Sequence, residues 1–133
     1  MTLKATRSAG IEILKRRMAR RHAELLEETR EDVERARQET YGALAGPVTD
    51  SGDQATADLL TDLGQAEISR DLREVKDLEA ALARIDQGTF GKCIECGAEI
   101  SFKRLAVHPV AARCAACQRI DERTHARLGE PKL

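Results

Sequence analysis

The 133 residues predict a mostly α-helical protein: a long antiparallel coiled-coil hairpin joined to a small four-cysteine zinc finger and a C-terminal helix. Three observations carry that prediction. All four cysteines fall in two Cys-x-x-Cys pairs, Cys93/Cys96 and Cys114/Cys117, with seventeen residues between the pairs. Apolar residues recur at three- and four-residue steps along two stretches of about 34 to 37 residues, and Gly46-Pro47 separates them. Aromatic residues are 2% and charged residues 34% of the chain, with no Trp, a composition that suits narrow helical seams better than a broad core. An end too small to hold itself is then stapled by metal.

The first helix is expected to start near Ser8 to Ile11 and to run to about Ala45. Ile11, Leu14, Met18, Leu25, Val33, Ala36 and Leu44 fall near one face, with His22 and Thr29 on or beside it, so the helix needs a partner. Lys15, Arg16, Arg17, Arg20 and Arg21 form a basic cluster, read either as a solvated face or as a contact for phosphate or an acidic surface. Proline then breaks the helix, and Thr49-Asp50-Ser51-Gly52-Asp53 is rich in turn and cap formers, with Asp53 or Ser51 suited to cap the next helix.

The second helix is expected over about Gln54 to Gln87. Its seam is Ile68, Leu72, Val75, Leu78, Leu82 and Ile85, and Gly88 supplies a left-handed stop. Gly64 weakens the helix toward its start. Two such helices joined by a short turn bury their seams by folding back on each other. At about 1.5 Å per residue each arm spans roughly 50 Å, which puts the turn far from the cysteines. The organisation expected is therefore a hairpin over 1–88, with its tip at about 46–53, and a zinc finger with a C-terminal helix of about Gln118 to Arg127 over 89–133.

Each Cys-x-x-Cys knuckle folds two sulfurs onto one side of a tight turn, and two facing knuckles make a tetrahedron of thiolates for one structural Zn2+. Gly97 stands where the backbone must bend past the metal. Paired disulfides would need an oxidising compartment, yet residues 1–10 lack the apolar core of a signal peptide. A redox Cys-x-x-Cys usually opens a helix of a βαβ unit, and nothing here reads as a parallel sheet. With four thiolates present, His108 is a surface or supporting residue rather than a ligand.

No apolar run approaches membrane-spanning length, so a soluble, cytoplasmic protein is expected. The net charge of −1 hides a polarity. Residues 41–91 carry four Lys or Arg against ten Asp or Glu, whereas both flanking segments are basic on balance. An acidic middle third argues against a nucleic-acid grip along the whole chain. A nucleophile–base pair, a phosphate-binding loop and an open catalytic metal position are all missing from the sequence, so no enzyme is expected.

Together these pieces resemble the DksA/TraR family of bacterial regulators. The most specific portion is Phe90-Gly91-Lys92-Cys93-Ile94-Glu95-Cys96-Gly97, then Ile100, Arg104-Leu105, Pro109, Ala111 and Cys114 through Cys117. At the tip, Asp50-Ser51-Gly52-Asp53-Gln54-Ala55 is similar to the Asp-x-x-Asp-x-Ala pattern of the family's active members. The resemblance implies binding to RNA polymerase as a monomer, without sequence-specific DNA contact. The hairpin would enter the secondary channel and bring Asp50, Asp53 and Ala55 near the catalytic machinery to modulate initiation, as in the stringent response. Spacing alone favours a role for the two aspartates in capping and turning the chain, and the joint match to zinc module, hairpin and tip reverses that.

Some relatives respond to guanosine tetraphosphate through basic residues. The matching positions here are Asp77, His108 and Gln118, which suit a polyanion poorly, so synergy with that nucleotide is doubtful. Arg73, Arg113 or Arg119 would be the substitutes, and Arg70 and Arg73 are also candidate contacts for the channel rim. A longer amino-terminal extension found in some relatives has no counterpart before the first helix, which leaves Lys4 and Arg7 to rebuild any contact it makes. Two rival functions remain at this stage. A zinc-ribbon nucleic-acid binder would use Lys103, Arg104, Arg113 and Arg119, and a thiol-based redox or zinc-release sensor would use the cysteines.

Overall fold

The computed structural model describes the backbone of residues 3–45 and 51–129, and the side chains of 6–42, 58–59 and 61–126. Four helices follow one another: α1, Leu3–Ala45; α2, Ser51–Gln87; α3, Phe102–Val107; and α4, Ala115–Gly129. Among the described residues no strand forms, and one isolated antiparallel bridge joins Lys92 to Glu99. No helix among them is long and apolar enough to cross a membrane.

The fold is the expected antiparallel helical hairpin with a four-cysteine end, and its contacts divide into two compact units. Unit 1 joins the residues up to Met18 to those from Leu78 onward; unit 2 is Ala19–Asp77. In unit 1, Leu14 and Met18 of α1 are buried together with Leu78 and Ala81 of α2 and with Phe90, Ile100 and Leu105 beyond it. Full burial of a side chain such as Leu105 contributes about 1.5–3 kcal/mol. The antiparallel register shows in Arg7 reaching Gly91 while Lys15 lies 3.9 Å from Asp86.

α1 starts at Leu3, earlier than the sequence predicts. Gly10 ought to weaken that first part, but the Phe102 ring fills the space above it: a Cβ at position 10 would lie 2.5 Å from Cζ of that ring. The glycine is a seat for the aromatic ring, so the helix continues through it. α2 ends as expected, in a Schellman motif. Gly88 has φ +75°, its N–H donates to the Ile85 carbonyl at 3.1 Å, and the Thr89 N–H donates to the Arg84 carbonyl at 2.9 Å. At the other end α2 already begins at Ser51, which makes Asp53 its third residue rather than its cap.

Unit 2 has a thinner seam. Leu25 and Val75 are buried, and Thr29 is buried beside them at 7% exposure. From Leu25 the inward positions on α1 step by four, three and four residues through Thr29 and Asp32 to Ala36, so half-buried Asp32 takes the place expected for Val33, which is 48% exposed. Leu72, also expected in the seam, is 44% exposed, and Ile68 is half-buried. The side chain of Leu44 lies outside the described residues. Arg21 and Glu74 clasp across the pair through Nε–Oε1 at 3.0 Å and Nη2–Oε2 at 3.4 Å. Because both side chains are more than two-fifths exposed, the clasp contributes about 0.2–1 kcal/mol and fixes register more than it stabilises.

The Thr29 hydroxyl is buried without a hydrogen-bond partner among the described residues. Such an atom loses its water and gains nothing in return. Thr29→Val keeps the shape and removes the orphan oxygen, so it is expected to stabilise the chain by about 1 kcal/mol in thermal unfolding followed by circular dichroism. Thr29→Ala, which leaves a void instead, is expected to lower the melting temperature.

Candidate metal centre

The first knuckle is built from backbone hydrogen bonds. The Cys93 N–H donates to the Ala98 carbonyl at 2.8 Å and the Gly97 N–H donates back to the Cys93 carbonyl at 3.0 Å, closing a loop in which Gly97 has φ +73°. The left-handed turn turns the chain back beneath the sulfurs without the steric cost a Cβ would add. The Ile94 N–H then donates to the Ala112 carbonyl at 3.0 Å, which brings the second knuckle against the first.

The second knuckle is itself the start of a helix. The Cys114 sulfur accepts the Cys117 N–H at 3.5 Å, and the Gln118 N–H donates to the Cys114 carbonyl at 2.9 Å. The sulfur thus acts as an N-cap, which explains why α4 begins at Ala115, ahead of the Gln118 expected from sequence. Between the knuckles lies α3, which sequence reasoning missed. Ser101 Oγ caps it by accepting the Arg104 N–H at 3.3 Å, and Leu105 anchors it at 0% exposure.

The Sγ atoms of Cys93, Cys96, Cys114 and Cys117 all lie within 4.8 Å of one another, with Cys96 and Cys114 at 3.9 Å. A zinc ion bound at about 2.3 Å to four sulfurs at tetrahedral corners requires sulfur–sulfur edges of about 3.8 Å. The donor set therefore fits one structural Zn2+ with all four positions taken by protein. The cysteines themselves are free of disulfides. His108, the alternative ligand, is instead the exposed C-cap of α3, its N–H donating to the Arg104 carbonyl at 2.7 Å.

The thiols are unequal. The backbone N–H of Cys96, then that of Cys114, point at the Cys93 sulfur and pull its pKa down to about 6. Cys114 is likewise lowered, chiefly by the Cys117 backbone N–H. Cys117 is pushed up to about 12, because its proton is shared first with the Cys114 sulfur and then with that of Cys93. Zinc binds thiolates, so the proton that Cys117 retains must leave when the metal enters.

Arginines hold this end together, and sequence reasoning did not assign them that work. Arg7 Nη2 donates to the Ile100 carbonyl at 3.2 Å and the Gly91 carbonyl at 3.4 Å, tying α1 to the first knuckle. Arg84 Nη2 reaches the Val110 carbonyl at 3.2 Å, and Arg104 Nε reaches the Arg113 carbonyl at 3.2 Å. Arg113 bridges the knuckles and α4 through Glu95 at 3.3 Å and Asp121 at 3.9 Å. From the basic cluster of α1, Arg17 Nη1 approaches the Ala106 carbonyl at 3.5 Å. No local sequence pattern announces these contacts, since most of their partners are backbone carbonyls, one of them 93 positions away.

The remaining predicted residues are not gathered at one described site. Asp50 lies outside the described residues; Asp53 and Ala55 fall in the first turns of α2, and their side chains are likewise outside the description. Arg70 and Arg73 are exposed on α2, where Arg73 Nε donates to the Ser69 carbonyl at 3.2 Å. Asp77 is exposed in unit 2, while His108 and Gln118 belong to unit 1, with Gln118 Nε2 donating to Glu122 at 3.1 Å.

Comparison with known proteins agrees with the metal site. Residues 88–123 match the prokaryotic dksA/traR C4-type zinc finger. The RNA polymerase-binding transcription factor DksA of Haemophilus influenzae is 34% identical over 73 residues, 55% of this chain and 50% of that one. An uncharacterized protein of Aquifex aeolicus is 37% identical over 68 residues, 51% of this chain and 44% of that one. The chain thus spans about half the length of these curated relatives. The structure of transcription factor DksA2 from Pseudomonas aeruginosa superposes with a TM-score of 0.72 over 89% of this chain and 87% of that one; at 21% identity the likeness concerns the fold.

Zinc affinity is expected to rise with pH by at least about tenfold per unit between pH 6 and 8, because Cys117 alone must release one proton on binding. Competition titration with a chromophoric chelator checks this. A pH-independent affinity would mean that Cys117 is already ionised in the free protein.

Proposed function

We propose that this DksA-like zinc-finger protein binds RNA polymerase and inserts the tip of its α1–α2 hairpin into the secondary channel to modulate transcription initiation. The observation that carries the reading is the joint presence of a dksA/traR-type zinc finger and a hairpin of 43- and 37-residue helices in one DksA fold. Relatives bearing the same finger are named RNA polymerase-binding transcription factors. In this reading the protein acts by occupancy rather than chemistry, as a cytoplasmic, monomeric, non-enzymatic regulator, its metal position closed by four thiolates.

In this reading Asp50, Asp53 and Ala55 are the business end. Two carboxylates on a turn and the helix it opens can accept hydrogen bonds from backbone amides or basic side chains, or hold a hydrated magnesium ion at the polymerase active site. Arg70 and Arg73, exposed further along α2, face the channel rim. Guanosine tetraphosphate adds little here. Asp77 is acidic and the Gln118 amide is engaged with Glu122, so neither offers a cation to a polyanion.

Direct nucleic-acid binding through the finger is the weaker reading, because Arg104 and Arg113 are occupied with carbonyls and carboxylates inside unit 1. That leaves Lys103 and Arg119 of the four cations it would use. The test is initiation from a ribosomal-RNA-type promoter with purified polymerase, comparing the wild type with Asp50→Asn/Asp53→Asn. The expected outcome is a wild-type effect on initiation that the variant loses while still binding polymerase, with less than about a twofold change on adding the nucleotide. A wild type that neither binds polymerase nor alters initiation would refute the reading.

A further inference from the structure

Unit 2 carries apolar side chains on two faces, the seam and the side away from it. Its seam contains the orphan hydroxyl of Thr29, the half-buried carboxylate of Asp32 and the half-buried Gly64. Meanwhile Leu59 and Leu63 of α2 are 58% and 56% exposed. At about 100° per residue, Leu59, Leu63, Ala66 and Arg70 share an arc of about 60° on the far side of α2 from Ile68 and Val75. All four are exposed, whereas Val75 is buried. Single exposed leucines are ordinary, but an i, i+4, i+7 strip opposite the seam is a second amphipathic face that the intramolecular fold leaves uncovered.

The charges around the strip narrow what covers it. Asp58 and Asp62 flank it on one side and Glu67 on the other, and no Lys or Arg occurs anywhere from Gln38 through Ser69. Arg70 closes the end away from the tip. A second copy meeting this face squarely would bring acid against acid, and a lipid surface with anionic headgroups would be repelled by the same bracket. A protein groove with an apolar floor and cationic edges is complementary to it.

We infer that the Leu59–Leu63–Ala66 strip is a docking face that seats in an apolar, basic-edged groove of RNA polymerase. The inference rests on the channel reading above and adds to it a source of affinity distinct from the tip: the tip acts, and the strip holds. It also explains why leucines that would strengthen the seam are kept outside it, at a cost in hairpin stability that docking offsets.

The test measures affinity of the zinc-loaded full-length chain for purified polymerase by competition against a labelled wild type. Leu59→Gln/Leu63→Gln is expected to weaken binding by at least about tenfold with an unchanged melting temperature, because both side chains are already largely in water. Asp62→Lys/Glu67→Lys, which leaves the leucines in place, is expected to weaken it as well, and Ile13→Gln, exposed in unit 1, is expected to bind as wild type. If the leucine variant unfolds, the charge-reversal variant decides. Wild-type affinity in the charge variant, or in a folded leucine variant, overturns the docking face while leaving the channel reading intact. A wild-type dimer in sedimentation that the leucine variant dissociates also overturns it, in favour of a second copy. Failure of the wild type itself to bind polymerase is a different result, and it removes the channel reading and the docking face together.

Discussion

Four sulfurs converging on one zinc ion are the constraint on which the remaining structure depends. A chain with 2% aromatic residues has little bulk with which to close a small irregular end, and among the described residues of unit 1 only a handful of apolar side chains are buried around its knuckles. The tetrahedron replaces that missing core. Because the Cys114 sulfur also caps α4, and the Ile94–Ala112 hydrogen bond joins the two knuckles, the metal fixes both the direction of the last helix and the loop that precedes it.

The same unit shows how a charged sequence builds specificity without a large core. Arg7, Arg84, Arg104 and Arg113 each end on carbonyl or carboxylate oxygens within unit 1. An arginine stem covers apolar surface while its planar head satisfies carbonyls that an irregular loop leaves unpaired. Unit 2 follows a different logic: its seam is polar in part and its outer face apolar in part.

Much of this was legible in the sequence, for physical reasons that differ by element. The metal ligands were legible because two Cys-x-x-Cys pairs leave thiolate chemistry few alternatives in a chain with no other cysteine. The end of α2 was legible because Gly88 terminates a helix by local backbone geometry alone. Helix register was less so: hydrophobicity favoured Val33 and Leu72 for the seam, but the steps set by Leu25 and Thr29 turned Asp32 inward instead. The early start of α1 depends on Phe102 resting over Gly10, a contact between residues 92 positions apart that no window of sequence reveals. α3 is six residues long, too short for periodicity to register, and its Ser101 cap was the one local signal. The tip, on which the functional reading turns, rests on pattern alone, since Asp50 and the side chains of Asp53 and Ala55 lie outside the described residues.

The central claim is that the hairpin tip reaches the polymerase active site, and cross-linking tests it most directly. A photoreactive amino acid at position 53 of the zinc-loaded chain, irradiated in complex with RNA polymerase, reports what the tip touches. The account predicts cross-links to the active-site elements lining the inner end of the secondary channel, lost on competition with unlabelled chain. Cross-links confined to the outer surface of the enzyme, from a chain that binds it tightly, would contradict it.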